Sequence, residues 1–415
     1  MRKNVQHFLF FFLVSFILFA QVQHEVNPPE YIKSIVFKGP LEGDQFPIIK
    51  LGEPVTLNFD DLTATEPDYY YTLTHCNYDW TPSNLVKQQY LRGVDNVRIL
   101  NYQNSFNTLQ PYSNFRLQIP NNQTGILLSG NYILKVFDNQ QELMFSRRFV
   151  VYEDLATVGV SIARPRDLSV FNEKQSVQFI INAGDLQLRN PNQEVKVAVL
   201  KNYHWDSAIT DLKPQFVLGN QLTYRYDKAS SFWAGNEFFN FENKDIRGAT
   251  VNIASVKIDA IYHNYLYTNE SRKDEPYTYF PDINGDFLIT VLNRDPFIEA
   301  DYAFIYFSLD YPKVPNSKSV HIYGKFNNYA VDDSTRMEYD DETGLYHAKL
   351  LLKQGFYNYK YVVVDKKGTI DENAICGNFL PTENNYLVLV YFRKFGALYD
   401  TLIGIGSGNS STLTN

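Results

Sequence analysis

Between residues 320 and 364 apolar and polar side chains alternate along the chain. Val320, Ile322 and Gly324 alternate with His321 and Tyr323. Ala348, Leu350 and Leu352 alternate with Lys349, Leu351 and Lys353, and Gln354-Gly355 then turns the chain. Tyr357, Tyr359, Tyr361 and Val363 follow at every second residue. Side chains of a strand point alternately to its two faces. A period of two in β-branched and aromatic residues, broken by Gly and Asn, therefore predicts hairpin strands. A lone hairpin does not hold in water, so a second sheet must cover its apolar face. The stretch predicts a β-sandwich.

The same pattern runs upstream. Pro28 and Pro29 hold the lead-in extended. Strands are expected at IKSIVFK (32–38), FPIIKL (46–51), VTLNFD (55–60) and YYYTLTHCNYDW (69–80). Tyr69, Tyr71, Leu73, His75 and, after a break, Trp80 are expected to line the last of these. NFRLQIP, GNYILKVFD and LMFSRRFVVY complete about seven strands, the number one immunoglobulin- or fibronectin-like sandwich needs. Glu153-Asp154-Leu155 is the expected boundary.

A second β-rich domain is expected over 156–312 and a third sandwich over 313–395. The third should close on YLVLVYF (386–392), an unbroken apolar run typical of a strand covered on both faces. Residues 396–415 end in GIGSGNSSTLTN and read as a polar tail with nothing to bury. Within the second domain, SFWAGNEFFNFENKDIRG (231–248) crowds Phe232, Trp233, Phe238, Phe239 and Phe241 into ten residues. The five either pack on their own domain or form a contact surface for a partner protein, since aromatics dominate interface cores.

Composition narrows the class. Residues 1–20 have Arg2 and Lys3 followed by an apolar run and Ala20, the form of a secretory signal peptide. Formal net charge is −8, and loss of the two basic residues of the leader takes it to −10. An acidic chain is a poor partner for nucleic acid. Tyr and Phe number 31 each, and few windows carry helical periodicity, so the class is mostly β, with tandem β-sandwiches. Cys76 and Cys376 lie far apart in sequence. Two cysteines do not make a secreted disulfide scaffold. They are read as small buried side chains, with pairing left open.

No motif makes a case for an enzyme. Asp282, Asn284 and Asp286 have calcium-loop spacing, but Phe287 stands where the loop needs Gly and Asn293 where it needs Glu. Asn284-Gly285 is a turn signal instead. Asp332-Asp333 and Asp340-Asp341-Glu342 read as solvated loops. The six histidines left after leader removal have no zinc spacing. There is no nucleophile elbow and no phosphate loop. Gly404-Ile405-Gly406-Ser407-Gly408 has no following helix to make a dinucleotide site. No catalytic residue, cofactor or metal ligand is assigned.

Two resemblances add to this. Residues 316–366, with GKFNNY, Met337, GLY and GFYNYKY, resemble early-set immunoglobulin-like modules that include glycogen-binding domains. In the sugar-binding members a Trp stacks on glucose where this chain has Tyr329. That resemblance implies an alternative function as a periplasmic glycan-binding protein. Over nearly the whole chain, NPPEYIKSIVFKG, LGEPVTLNFDDL, YYYTLTHCNYDWTPSNL, NSFNTLQPYSNFRL, FWAGNEFFNFENKDIR, YTYFPDINGDF, HIYGKFNNYAVDDSTRMEYD and KQGFYNYKYVVVD, in order, resemble the plug proteins of the type IX secretion system. That resemblance implies a periplasmic, non-enzymatic β-protein. It is expected to bind the giant outer-membrane β-barrel translocon and close its periplasmic end when idle, as a monomer within a membrane complex. The candidate contact residues are Phe232, Trp233, Phe238, Phe239 and Phe241.

Overall fold

The computed structural model describes residues 21–41 and 46–413. The expected signal peptide over 1–20 lies outside the described residues. Almost every regular element is a strand. The first sandwich follows the sequence pattern. Ile32–Lys38, Val55–Asp61, Ser113–Ile119 and Asn101–Asn104 form one sheet. Ile48–Lys50, Leu143–Tyr152, Gly130–Phe137, Tyr70–Cys76 and Val97–Arg98 form the other. Leu57 faces Leu117, Phe59 faces Phe115, and Tyr132 faces Phe149 across their ladders. These side chains, with Tyr69, Tyr71 and Leu73, fill one core. Trp80 is buried too, but in a separate cluster with Cys76, Ala198, Leu200 and Leu389. That cluster is the seam to the second sandwich.

The second sandwich departs from expectation in its chain composition. One sheet holds Thr157–Ala163, Lys174–Asn182, Gln221–Tyr224 and Phe216–Leu218, with Ser231–Trp233 on the end of the second. The other is Val195–Lys201, Asn385–Phe392 and Thr401–Asn409. The strand expected to close the third module therefore closes the second, with Val199 opposite Val388. Its unbroken apolar run explains why. Tyr386, Val388 and Val390 face the core of the second sandwich. Leu387, Leu389 and Tyr391 face the seam with the first. A strand between two cores has no polar face.

The expected polar tail is overturned over Thr401–Asn409, a strand in which Leu402 and Ile403 are fully buried. Its glycines are a packing requirement. A Cβ on Gly404 would stand 2.4 Å from the Ala156 carbonyl oxygen, and one on Gly406 would stand 2.6 Å from that of Val158. Alternate glycines let this strand lie directly against Thr157–Ala163, backbone to backbone.

The third body is one eleven-stranded sheet. Its main path runs Phe239–Glu242, Gly355–Asp365, Lys318–Tyr323, Arg336–Asp340, Leu345–Lys353, Tyr302–Asp310, Tyr262–Leu266, Ile253–Ile258. Phe241 from one end and Tyr262 from the other share one core with Ile305, Phe307, Ile322 and Tyr357, so the sheet curls around it. The boundary expected near 312 falls inside this sheet, because Tyr302–Asp310 pairs with Leu345–Lys353 along its length. The alternation of 355–363 is as read: Tyr357, Tyr359, Tyr361 and Val363 all point into the core. Both cysteines are free and buried, in different clusters.

Candidate functional site

A cleft of about 1200 Å³ opens where the three bodies meet. One wall is the Ile32–Lys38 strand, and the opposite wall is Ala348–Leu352 of the third body. The floor includes Phe46, Tyr203 and Trp205. Phe46 stacks on Tyr203 at 4.7 Å, and Lys325 lies 4.6 Å over the Phe46 ring. His24, Glu25 and residues 27–30 also line the cleft.

The residues expected to meet a partner are mostly core. Ser231–Trp233 and Phe239–Glu242 are strands, and they join different bodies. Phe232 is packed in the second sandwich at 5.5 Å from Tyr386. Phe238 is buried, with the Lys360 ammonium 4.2 Å over its ring. Phe239 is half-buried under the Arg272 guanidinium at 3.9 Å. Phe241 is fully buried, stacked on Tyr357. Trp233 differs: it is 43% exposed, and Lys174 sits over its ring at 4.2 Å. The contact surface expected of all five is therefore available at Trp233 and the edge of Phe239. Aromatic density in this stretch reports a junction between two cores.

Tyr329 lines the cleft, half-buried, in left-handed backbone with φ 55°. Its ring packs against His204 at 4.6 Å and Tyr323 at 4.9 Å.

Behind Tyr329 lies a charged junction between the second and third bodies. Lys201, His204, Lys360 and Glu372 act on one another there. Burial and the neighbouring Lys360 push Lys201 down to about 8. Burial works against an ionised Glu372, but Lys360 and Lys201 outweigh it and hold that carboxyl below its usual range. Lys201 donates to the Trp233 carbonyl at 2.9 Å, which ties the exposed indole's backbone to this junction. The Asp282–Asp286 stretch is a turn, with Asn284 at φ 55° and its amide donating to Asp282 at 2.7 Å. Among the described residues no group of three or more His, Cys, Asp or Glu is arranged to hold a metal. No helix among them is long and apolar enough to cross a membrane.

One feature escaped the sequence pattern. Gln23–Asn27 lies along the outer edge of Leu143–Tyr152, tied to Ser146, Arg147 and Arg148. Its Glu25 and Asn27 also accept from Asn328 of the third body, at 2.9 and 3.2 Å. The available signal was Ser146-Arg147-Arg148 itself, two cations inside an otherwise apolar strand. Buried charges need partners.

A family model described as the first domain of the type 9 secretion system plug protein matches residues 32–153, which is the first sandwich. The chain belongs to the type IX secretion system plug family. Among solved structures, the plug-family chain is similar to a crystal structure of a hypothetical protein from Parabacteroides merdae. The two share 32% identity and superpose with a TM-score of 0.89. The match covers 94% of this chain and 100% of the other, so the three-body arrangement is common to both. No curated protein matches the chain.

Proposed function

We propose that the chain is a non-enzymatic periplasmic plug. It binds the giant outer-membrane β-barrel translocon of the type IX secretion system and seals the periplasmic end while the channel is idle. Family membership carries this reading. The fold is in keeping with it, because the three bodies are tied to one another by buried polar links. Lys353 meets Asp60, Tyr112 donates to the Ala300 carbonyl at 2.8 Å, and Tyr391 donates to Asn131 at 2.7 Å. A stopper whose parts are fixed before docking loses little conformational freedom on binding. Trp233, the exposed member of the aromatic group, would serve as an interface anchor.

The test is a tagged pull-down of the mature protein from detergent-solubilised outer membranes, with bound proteins identified by mass. A very large barrel protein at near-equal stoichiometry is expected. Recovery of the chain alone, with that barrel present in the same extract, would sink the plug reading.

A further inference from the structure

Two strand edges open onto the cleft. Ile32–Lys38 stands at the end of its sheet, paired with Val55–Asp61 on one side alone. Leu345–Lys353 pairs with Tyr302–Asp310 along one side, but on the other Arg336–Asp340 reaches only Leu345, Tyr346 and His347. Residues 348–352 are therefore an open edge as well. Side chains of a strand alternate between its two faces, so a cavity lined by consecutive residues looks onto an edge and not a face. Ile32, Lys33, Ser34 and Ile35 line the cleft in succession, and so do residues 347–352. Among the described residues, the main chain of 33–37 and 348–352 makes no hydrogen bond to other main chain beyond these ladders. Every second N–H and C=O along each edge is thus left without a main-chain partner on its open side.

Strained backbone holds the cleft in shape. Ser34, Asn202, Tyr203, Asn328 and Tyr329 all line it, and all have φ between 50° and 58°. Asn202-Tyr203 and Asn328-Tyr329 are the centres of two tight turns. His204 N donates to the Lys201 carbonyl at 3.0 Å to close one, and Ala330 N donates to the Asn327 carbonyl at 3.2 Å to close the other. Left-handed backbone at both central positions suits Asn and Gly, and strain of this kind gathers at ligand sites. The two turns meet through His204 and Tyr329, whose rings lie 4.6 Å apart. Ser34 sits where the register of its strand breaks, between Lys33 and Val36, and its hydroxyl is bonded to that of Tyr302 at 2.8 Å. Each edge also carries a lysine. Lys33 is half-buried, with Glu30 and Asp332 as opposing charges but neither in ion-pair contact. Lys349 is exposed and lies 4.4 Å over the Phe304 ring. A bulge and a lysine blunt an edge against indiscriminate pairing. They leave it open to a segment that answers both.

We propose that the translocon sends one extended segment into this cleft, where it pairs as a strand shared between Ile32–Lys38 and residues 348–352 and brings carboxylate side chains to Lys33 and Lys349. An extended chain is the occupant that these walls fit, because its main chain presents donors and acceptors at the repeat of a strand edge. Acidic side chains on it complement two ammonium groups that have no ion-pair partner among the described residues. A guest strand bonded to both walls ties the first sandwich to the third body. The segment's owner follows from the plug reading, which this site extends to a place on the chain.

Hydrogen exchange on the full mature chain, free and in complex with the detergent-solubilised barrel, tests this. Alternate amides of 33–37 and 348–352 are expected to exchange about tenfold more slowly in the complex. Phe216–Leu218 is the control, an edge strand of the second sandwich with all three side chains exposed, and its exchange is expected not to change. Lys33→Glu combined with Lys349→Glu is expected to weaken binding of the barrel about tenfold while the urea midpoint of the free chain holds. A complex in which both cleft edges exchange as they do in the free chain overturns the proposal and leaves the plug reading standing. So does slowed exchange at Phe216–Leu218 in their place, and so does wild-type binding by a folded double variant. If the double variant folds poorly, exchange of the wild-type chain decides alone. Failure to form any complex removes the plug reading itself, and the shared strand with it.

Discussion

Asp60 of the first sandwich and Lys353 of the third body meet at 2.8 Å with 1% and 2% of their side chains exposed. Tyr302 donates to the same Asp60 oxygen at 2.7 Å, and Asn114 donates to the other at 2.8 Å. Lys353 also donates to the Phe297 carbonyl and lies 4.0 Å over the Tyr112 ring. Both charges are fully partnered, which a buried ion pair requires if it is not to cost more than it contributes. Removing one partner leaves the other charged and dry. Lys353→Met is therefore expected to cost about 3–5 kcal/mol, and adding Asp60→Asn to recover much of it. Urea unfolding of the single and double variants measures this. A loss in Lys353→Met no larger than that of a surface lysine would mean that the pair does not hold the bodies together.

The glycines of the last strand make a sharper demand than their polar neighbours suggest. Gly406→Val must push into the Val158 carbonyl, where even a Cβ has only 2.6 Å. Overpacking of this kind costs about 1–3 kcal/mol, and backbone that cannot yield puts this site at the upper end. Gly368→Ala is a useful contrast, because nothing stands within 4 Å of the added carbon. Its φ of 79° still costs something, so the expected order in Tm is wild type, then Gly368→Ala, then Gly406→Val. Equal losses would mean that the two sheets are free to move apart.

Strands were legible wherever the period of two was clean, as in 55–61 and 355–363, because the pleat writes itself directly into the sequence. Partner choice was not. The run 386–392 signalled burial on both faces, which holds equally for any strand between two layers. Gly404, Gly406 and Gly408 also keep a period of two, but composition made them look soft. Their reason lies in Ala156, Val158 and Val160, some 250 residues earlier. The five aromatics of 232–241 left packing and partner contact both open in the sequence; Phe232 packs in the second sandwich and Phe241 in the third body, while Trp233 stays exposed. Gln23–Asn27 has no apolar pattern at all, since polar links to residues about 120 positions away hold it in place.

Acid should loosen the first sandwich through His75. Burial pushes that imidazole down to about 4, with the Ser129 carbonyl at 3.1 Å opposing. The folded chain therefore keeps His75 neutral at a pH where the unfolded chain, titrating near 6.5, has already protonated. Its contribution is whole above pH 6.5 and drains away as pH falls towards 4, to a total of about 3 kcal/mol. Glu237 runs the other way. Burial raises its carboxyl to about 7, so its deprotonation weakens the fold as pH rises from about 4.5 to 7. Following the His75 ring protons by NMR separates the two. Titration of that ring near 6.5 in the folded protein would refute the acid argument.

The aromatic group divides by burial, and the division predicts which member a partner can feel. Phe241 is fully buried between Phe307 and Tyr357, so Phe241→Ala should cost about 3–5 kcal/mol and lower the yield of folded protein. Trp233 loses little beyond its contact with Lys174, worth about 0.5–1 kcal/mol at an exposed site. Trp233→Ala should therefore leave the urea midpoint nearly unchanged. If the exposed indole anchors a partner, the same variant weakens translocon recovery in the pull-down, because interface tryptophans carry a disproportionate share of binding energy. Phe241→Ala cannot make this distinction, since any loss of recovery would follow the loss of fold. A stable Trp233→Ala that recovers the barrel as well as wild type does would remove Trp233 from the interface and leave the half-buried Phe239 as the one other ring of the group that a partner could touch.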